Sequence, residues 1–141
     1  MNKVVLLILA LLSLQTSFAI AQNCNYDLAN NKAVIMIDLD GVLDEYEKYD
    51  KSKIPKIRNG AKDFIKNLYE MKKYDLVLFT TRSPKLATFW LIDNNIDKYF
   101  IDVTNVKYPA KIYIDDRAIQ FNGDYNNTLK EIETFKTYWK K

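Results

Sequence analysis

Apolar residues in this chain come in short unbroken runs, and the runs are separated by segments with helical spacing. Ala33-Val34-Ile35-Met36-Ile37 passes directly into Asp38-Leu39-Asp40-Gly41. An unbroken run of that length with β-branched residues predicts a strand over about 33–39 buried on both faces, as in a parallel sheet. Tyr74 to Thr80 repeats the pattern, with Leu76-Val77-Leu78-Phe79 as a second buried strand ending at Thr80-Thr81-Arg82. A short strand around Phe100 to Val103 follows. Ile112-Tyr113-Ile114 forms a fourth buried strand that ends at Asp115-Asp116-Arg117.

Between the strands the period changes. Asn59-Gly60 opens a helix with Ala61, Phe64, Ile65, Leu68 and Tyr69 on one core-facing stripe. Ser83-Pro84 opens another, with Leu86, Phe89, Trp90 and Ile92 as its apolar residues and an end near Asn94-Asn95. After Asn122-Gly123, Leu129, Ile132, Phe135 and Trp139 mark one face of a terminal helix. Residues 44–58 are charged, aromatic and aperiodic, which suits a flap or hairpin beside a site. Alternating strands and helices predict an α/β protein, a three-layer sandwich with a mainly parallel sheet.

The strand ends carry the chemistry. In open α/β sheets the ligand crevice lies beyond the carboxyl ends of the strands. The first strand ends in Asp38 and Asp40, the second in Thr80 and Arg82, the fourth in Asp115 and Asp116, with Lys107 just before the fourth. Four carboxylates on one sheet edge repel one another unless a hard cation with oxygen ligands joins them, and Mg²⁺ is the economical choice. Thr80, Arg82 and Lys107 supply donors and positive charge for an anion lying against that metal. Metal, anion cradle and carboxylate nucleophile together describe phosphoryl transfer.

Composition narrows the alternatives. The 141 residues are enough for one domain and include no histidine. This removes Ser-His-Asp and Cys-His nucleophile systems, histidine phosphoryl transfer and the H-E-x-x-H kind of zinc site. One cysteine, Cys24, excludes an internal disulfide. Lys3, the apolar run Val4 to Leu12 and Ala19-Ile20-Ala21 have the layout of a secretory signal over residues 1–21. Residues 22–141 then form the exported domain, periplasmic or secreted, with no membrane span. The formal net charge of +3, part of it from Lys3, does not by itself indicate a nucleic-acid or membrane partner.

The order Ile-Asp38-Leu-Asp40-Gly41-Val42, Leu-Phe-Thr80, Lys107 and Ile-Asp115-Asp116 resembles the four motifs of the haloacid dehalogenase-like (HAD) hydrolase superfamily, over almost all of residues 22–141. The resemblance implies a Rossmannoid core whose first strand is flanked by the second and fourth. By motif position Asp38 matches the nucleophile that becomes an aspartyl-phosphate, and Asp40 the acid and then base. Thr80 and Lys107 match phosphate-binding positions. Asp115 matches a metal ligand and Asp116 a further or water-mediated one, with Asp38 and the backbone carbonyl of Asp40 completing the protein's share of the Mg²⁺ shell. Leu39 and Asp40 point away from dehalogenases and P-type pumps and toward a phosphatase. The spacings leave no room for an inserted cap domain, so the site is open and suits a large or exposed phosphorylated substrate. Thr80-Thr81-Arg82 looks like the segment of the polynucleotide-phosphatase-like branch in which the arginine contacts substrate phosphate. A phosphotransferase of the same fold and a non-catalytic HAD-like binding domain are the alternative readings.

Overall fold

The computed structural model describes residues 32–139, and the expected signal over residues 1–21 lies outside them. Strand β1 (Ala33–Asp38) is followed by helix α1 (Ala61–Glu70), strand β2 (Tyr74–Phe79) and helix α2 (Pro84–Asp93). A 3₁₀ turn (Asp97–Tyr99) leads into β3 (Phe100–Thr104), then β4 (Ile112–Ile114) and helix α3 (Tyr125–Thr134). The sheet order is β3-β2-β1-β4 and all neighbouring pairs are parallel. The architecture is α/β with a Rossmann-like parallel sheet, and β1 lies between β2 and β4 as expected.

Strand alternation divides the core. Ile35 and Ile37 of β1 pair in register with Leu76 and Leu78 of β2 and share one face. Against that face pack Ala61 and Ile65 of α1 and Ala87, Trp90 and Leu91 of α2. Both helices therefore cover the same side. The opposite face carries the smaller cluster of Val34, Met36 and Val77, covered in part by Phe79, Tyr108 and Ala110. Burial on both faces is why β1 is a continuous apolar run instead of an alternating one.

Two expectations about burial need correction, those for α1 and β4. On α1 only Ala61 and Ile65 are buried, Leu68 packs at the margin of the core, and Phe64 and Tyr69 are exposed. On α2, Phe89 and Ile92 are exposed, and Ala87 and Leu91 take the core positions beside Trp90. Strand β4 is an edge strand of three residues, and its Ile112 and Tyr113 are exposed.

The terminal helix departs furthest from its pattern. Asp124 caps α3 by accepting from the backbone N–H groups of Asn126 and Asn127, so the helix begins where capping chemistry dictates. Yet α3 buries none of its residues, and Leu129 and Ile132 are 60% and 57% exposed. Trp139 lies beyond the helix end and serves a different purpose.

The segment between β1 and α1 is closed at its base. Asp44 and Ile57 form an antiparallel bridge, Glu45 N–H donates to the Lys56 carbonyl at 2.9 Å, and Arg58 N–H donates to the Leu43 carbonyl at 2.8 Å. The charged stretch is thus a flap rooted beside the end of β1. No helix among the described residues is long and apolar enough to cross a membrane.

Candidate active site

Register alone brings the first carboxylates together. Ile37 of β1 stands opposite Ile114 of β4, so the next residues, Asp38 and Asp115, leave the sheet side by side. On the other flank Asp38 stands opposite Phe79, and Thr80 leaves β2 just beyond it. One carboxylate oxygen each from Asp38, Asp115 and Asp116 lies within 4.8 Å of the others. That spacing suits oxygen ligands around one small hard cation.

The electrostatics of the triad fit such an ion. The Asp38 carboxyl is pushed up to about 7, first by burial and then by the charges of Asp115, Asp40 and Asp116. A divalent cation among these groups would reverse that balance. Asp116 gives a more specific sign. Its side chain is only 1% exposed, and its Oδ1 is buried with no hydrogen-bond partner; Arg117 Nε lies 3.6 Å away. A buried carboxylate oxygen left this way is costly unless something positive faces it. Asp115 is more exposed, and its Oδ1 accepts from the Arg117 backbone N–H at 2.7 Å, which turns the chain at the strand end.

Glycine is required at position 41. Gly41 has φ +86°, a backbone conformation that side chains disfavour. A Cβ there would also run into the Asp116 carboxylate and come within 3.0 Å of the Trp139 indole nitrogen. The loop after β1 and the loop after β4 therefore touch through a residue with no side chain.

A second cluster stands beside the triad. Arg82 Nε donates to both oxygens of Asp40, at 2.7 and 3.0 Å, and Nη2 pairs with Oδ1 at 2.7 Å. Both residues are buried, Arg82 at 2% exposure. Arg82 Nη1 donates to the carbonyls of Asp50 (2.5 Å) and Lys53 (3.2 Å), and the guanidinium lies 4.9 Å from the Tyr49 ring centroid. One arginine thus ties the flap to Asp40. Thr80 is fully buried, and its Oγ1 accepts from the Arg82 backbone N–H at 3.1 Å.

Asp44 completes this cluster. Its side chain is inside the protein, and Oδ1 accepts from Gly41 N–H at 2.8 Å, bracing the loop that carries Asp40. Burial pushes its carboxyl up to about 6. The Gly41 hydrogen bond opposes the rise and the neighbouring Asp40 charge adds to it.

Aromatic residues and the C-terminal segment border the triad. The Tyr138 hydroxyl donates to the Gly41 carbonyl and the Trp139 indole N–H to Asp116 Oδ2. Trp139 meets Tyr46 edge-on at 5.1 Å, and the Arg117 guanidinium lies 5.0 Å from the Tyr46 ring and 5.5 Å from that of Trp139. Tyr46, Lys48, Tyr49, Arg117 and Trp139 line a cleft of about 720 Å³.

The sequence-expected residues fall into three groups. Asp38, Asp115 and Asp116 converge. Asp40, Thr80 and Arg82 form the adjoining buried cluster, in which Arg82 turns inward to Asp40. Lys107 is exposed in the link between β3 and β4, with its ammonium 4.2 Å from the Tyr113 ring centroid, and no carboxylate among the described residues pairs with it. Sequence reasoning missed Asp44, Tyr138 and Trp139. Asp44 had a faint signal in its place four residues after Asp40, but the tail residues meet partners 97 and 23 positions away.

No protein-family model and no curated protein matches this chain. Among solved structures it is similar to a conserved protein from Bacteroides thetaiotaomicron, at 22% identity over 77% of this chain and 95% of that one, with a TM-score of 0.49.

Proposed function

We propose that this protein is a Mg²⁺-dependent phosphomonoesterase of the HAD-like kind, exported through residues 1–21. The observation that carries the reading is the convergence of Asp38, Asp115 and Asp116 at the carboxyl ends of adjacent parallel strands, with a buried oxygen on Asp116 that has no hydrogen-bond partner. These three side chains would hold the cation. When bound, it screens the negative charge of both phosphate and carboxylates.

Asp38 attacks phosphorus and carries the phosphoryl group as an aspartyl-phosphate. Asp40 gives a proton to the leaving oxygen and later takes one from the water that hydrolyses the intermediate. Arg82 holds its carboxylate through both oxygens, and the acid step requires one of those contacts to be released so that the oxygen can carry the proton. Thr80 orients the strand end, and its hydroxyl already accepts the Arg82 N–H. The links between Asp40 and Thr80 and between Thr80 and Lys107 hold only the flap, α1, α2, the 3₁₀ turn and β3, with no cap domain between them. An uncapped site favours a phosphorylated group presented on a large or exposed substrate.

A panel of phosphomonoesters assayed with Mg²⁺ and with chelator tests the reading. Phosphate release that needs the cation and is lost in Asp38→Asn is the expected result. No release from any ester, or release unaffected by chelator, would remove it. Mass spectrometry of the exported fraction checks the signal: a mature chain beginning at Gln22 is expected, and an intact Met1 on soluble protein would contradict export.

A further inference from the structure

We propose that Trp139 is a positioning residue for Asp116: its indole N–H holds one carboxylate oxygen so that the other is presented to a divalent cation. The C-terminal segment thereby completes the metal site. This rests on the metal reading of the Asp38, Asp115 and Asp116 cluster and does not depend on the phosphoryl-transfer chemistry.

The two oxygens of Asp116 are treated differently. Oδ2 accepts from Trp139 Nε1–H, while Oδ1 is buried without a hydrogen-bond partner. An indole nitrogen is a donor only, so its bond to Oδ2 directs that oxygen away from a cation and leaves Oδ1 for it. Hydrogen-bonded partners of this kind fix the orientation of ligating carboxylates. The Arg117 backbone N–H goes to Asp115, and the Arg117 guanidinium nitrogen Nε stays 3.6 Å from Asp116 Oδ1, so the indole is the side-chain donor that hydrogen-bonds the Asp116 carboxylate.

Trp139 is held in place from several sides. Its ring meets Tyr46 of the flap edge-on at 5.1 Å and carries the Arg117 guanidinium 5.5 Å from its centroid. The preceding residue, Tyr138, is bonded to the Gly41 carbonyl and has Arg58 5.1 Å above its ring. The absence of a side chain at Gly41 lets the Asp116 carboxylate and the indole nitrogen meet beside that loop. Four separate stretches of chain thus converge on the orientation of one carboxylate.

The test is calorimetric titration of the full chain with Mg²⁺ alone, using wild type, Trp139→Phe, Trp139→His and Asp116→Asn. Phe keeps a ring against Tyr46 and removes the N–H. It should weaken Mg²⁺ binding by about 10–100-fold, the usual cost of losing an outer-shell partner, with little change in cation-free thermal stability. His restores a ring N–H and should recover part of the loss.

Tryptophan emission gives a second readout. The chain has two tryptophans, and Trp90 is occupied elsewhere, donating to the Pro55 carbonyl at 2.8 Å. Wild-type emission should change with Mg²⁺ and saturate at the calorimetric Kd, and Trp139→Phe should lose that change. Equal or tighter Mg²⁺ binding by Trp139→Phe would overturn the proposal, the tighter case meaning that the tail obstructs the cation. Calorimetric binding without any emission change in wild type would overturn it as well. Failure of wild type to bind Mg²⁺ at all would remove the metal reading together with the proposal, so the two failures are told apart.

Discussion

The half of the molecule that runs from β1 to α2 and the half that runs from β3 to the C-terminal segment are built differently. The first holds nearly all of the buried apolar residues, Ile35, Ile37, Ile65, Leu76, Leu78 and Leu91 among them. The second has an edge strand and a helix with no buried residue. Yet the site draws on both, with Asp38 and Asp40 from the first and Asp115, Asp116 and Trp139 from the second. Asp38 and Asp40, the proposed nucleophile and acid–base residue, leave a deeply packed strand. Asp115 and Asp116, the other proposed cation ligands, follow a lightly packed edge strand and are oriented by local hydrogen bonds. Loss of core side chains or of the Arg82 ion pair in the first half should therefore cost stability, and loss of the Asp116 carboxylate in the second should cost cation affinity while sparing the fold.

Arg82→Ala puts the greatest strain on that contrast. It leaves Asp40 buried without its partner and frees the flap carbonyls of Asp50 and Lys53. Breaking a buried ion pair on one side costs about 3–5 kcal/mol, and urea unfolding should show a loss of that size. Asp116→Asn should lose Mg²⁺ affinity with a much smaller change in unfolding midpoint. Equal stability losses in the two variants would erase the distinction.

Ile65→Ala removes a side chain from the centre of the core and should cost about 2–5 kcal/mol. The same denaturation experiment reads it.

Asp44 sharpens the comparison through pH. Its carboxyl sits near 6 in the folded protein against an ordinary value of 3.8, so folding favours its protonated form. Stability from this group is fully present below about pH 4 and is lost as pH rises through about 6. Asp44→Asn keeps an acceptor for Gly41 N–H and carries no charge at any pH. The variant should gain on wild type across that window, by on the order of 2–3 kcal/mol at neutral pH. A constant difference between the two from pH 4 to 7 would mean that Asp44 is not buried as a titrating group. Asp38, raised by the same causes, adds a similar decline in cation-free protein, and Mg²⁺ should counter it.

The smallest effect belongs to the second half. Ile132→Ala, on the exposed face of α3, should change stability by no more than about 0.5 kcal/mol. A loss comparable to that of Ile65→Ala would show that α3 is covered in solution.

The sequence carried what depends on one strand at a time. A strand buried on both faces writes itself as a run of Val, Ile and Leu, and β1 and β2 were legible for that reason. Their ends could be placed on one edge because parallel strands end together, which located Asp38, Asp115 and Thr80. Helical period named the apolar face of α3 but could not say whether anything covers it. The exposure of β4 escapes the pattern for the same reason, since three apolar residues look alike in a central strand and at an edge. The inward turn of Arg82, the bracing by Asp44 and the grip of Trp139 on Asp116 depend on where the flap and the tail come to rest. These contacts join residues 42, 3 and 23 positions apart, and no periodicity encodes them. Lys107 illustrates the converse: its place in the motif order was clear, and its ammonium lies over Tyr113.

The central claim is that Asp38 carries a phosphoryl group during a cation-dependent reaction. Acid quenching of the Asp40→Asn variant during turnover, followed by peptide mass spectrometry, tests it most directly, because loss of the base should let the intermediate persist. The account predicts a phosphoryl adduct on the peptide bearing Asp38 that forms only with Mg²⁺ and is absent from the Asp38→Asn, Asp40→Asn double variant. Turnover with no adduct, or an adduct on a residue other than Asp38, would contradict it.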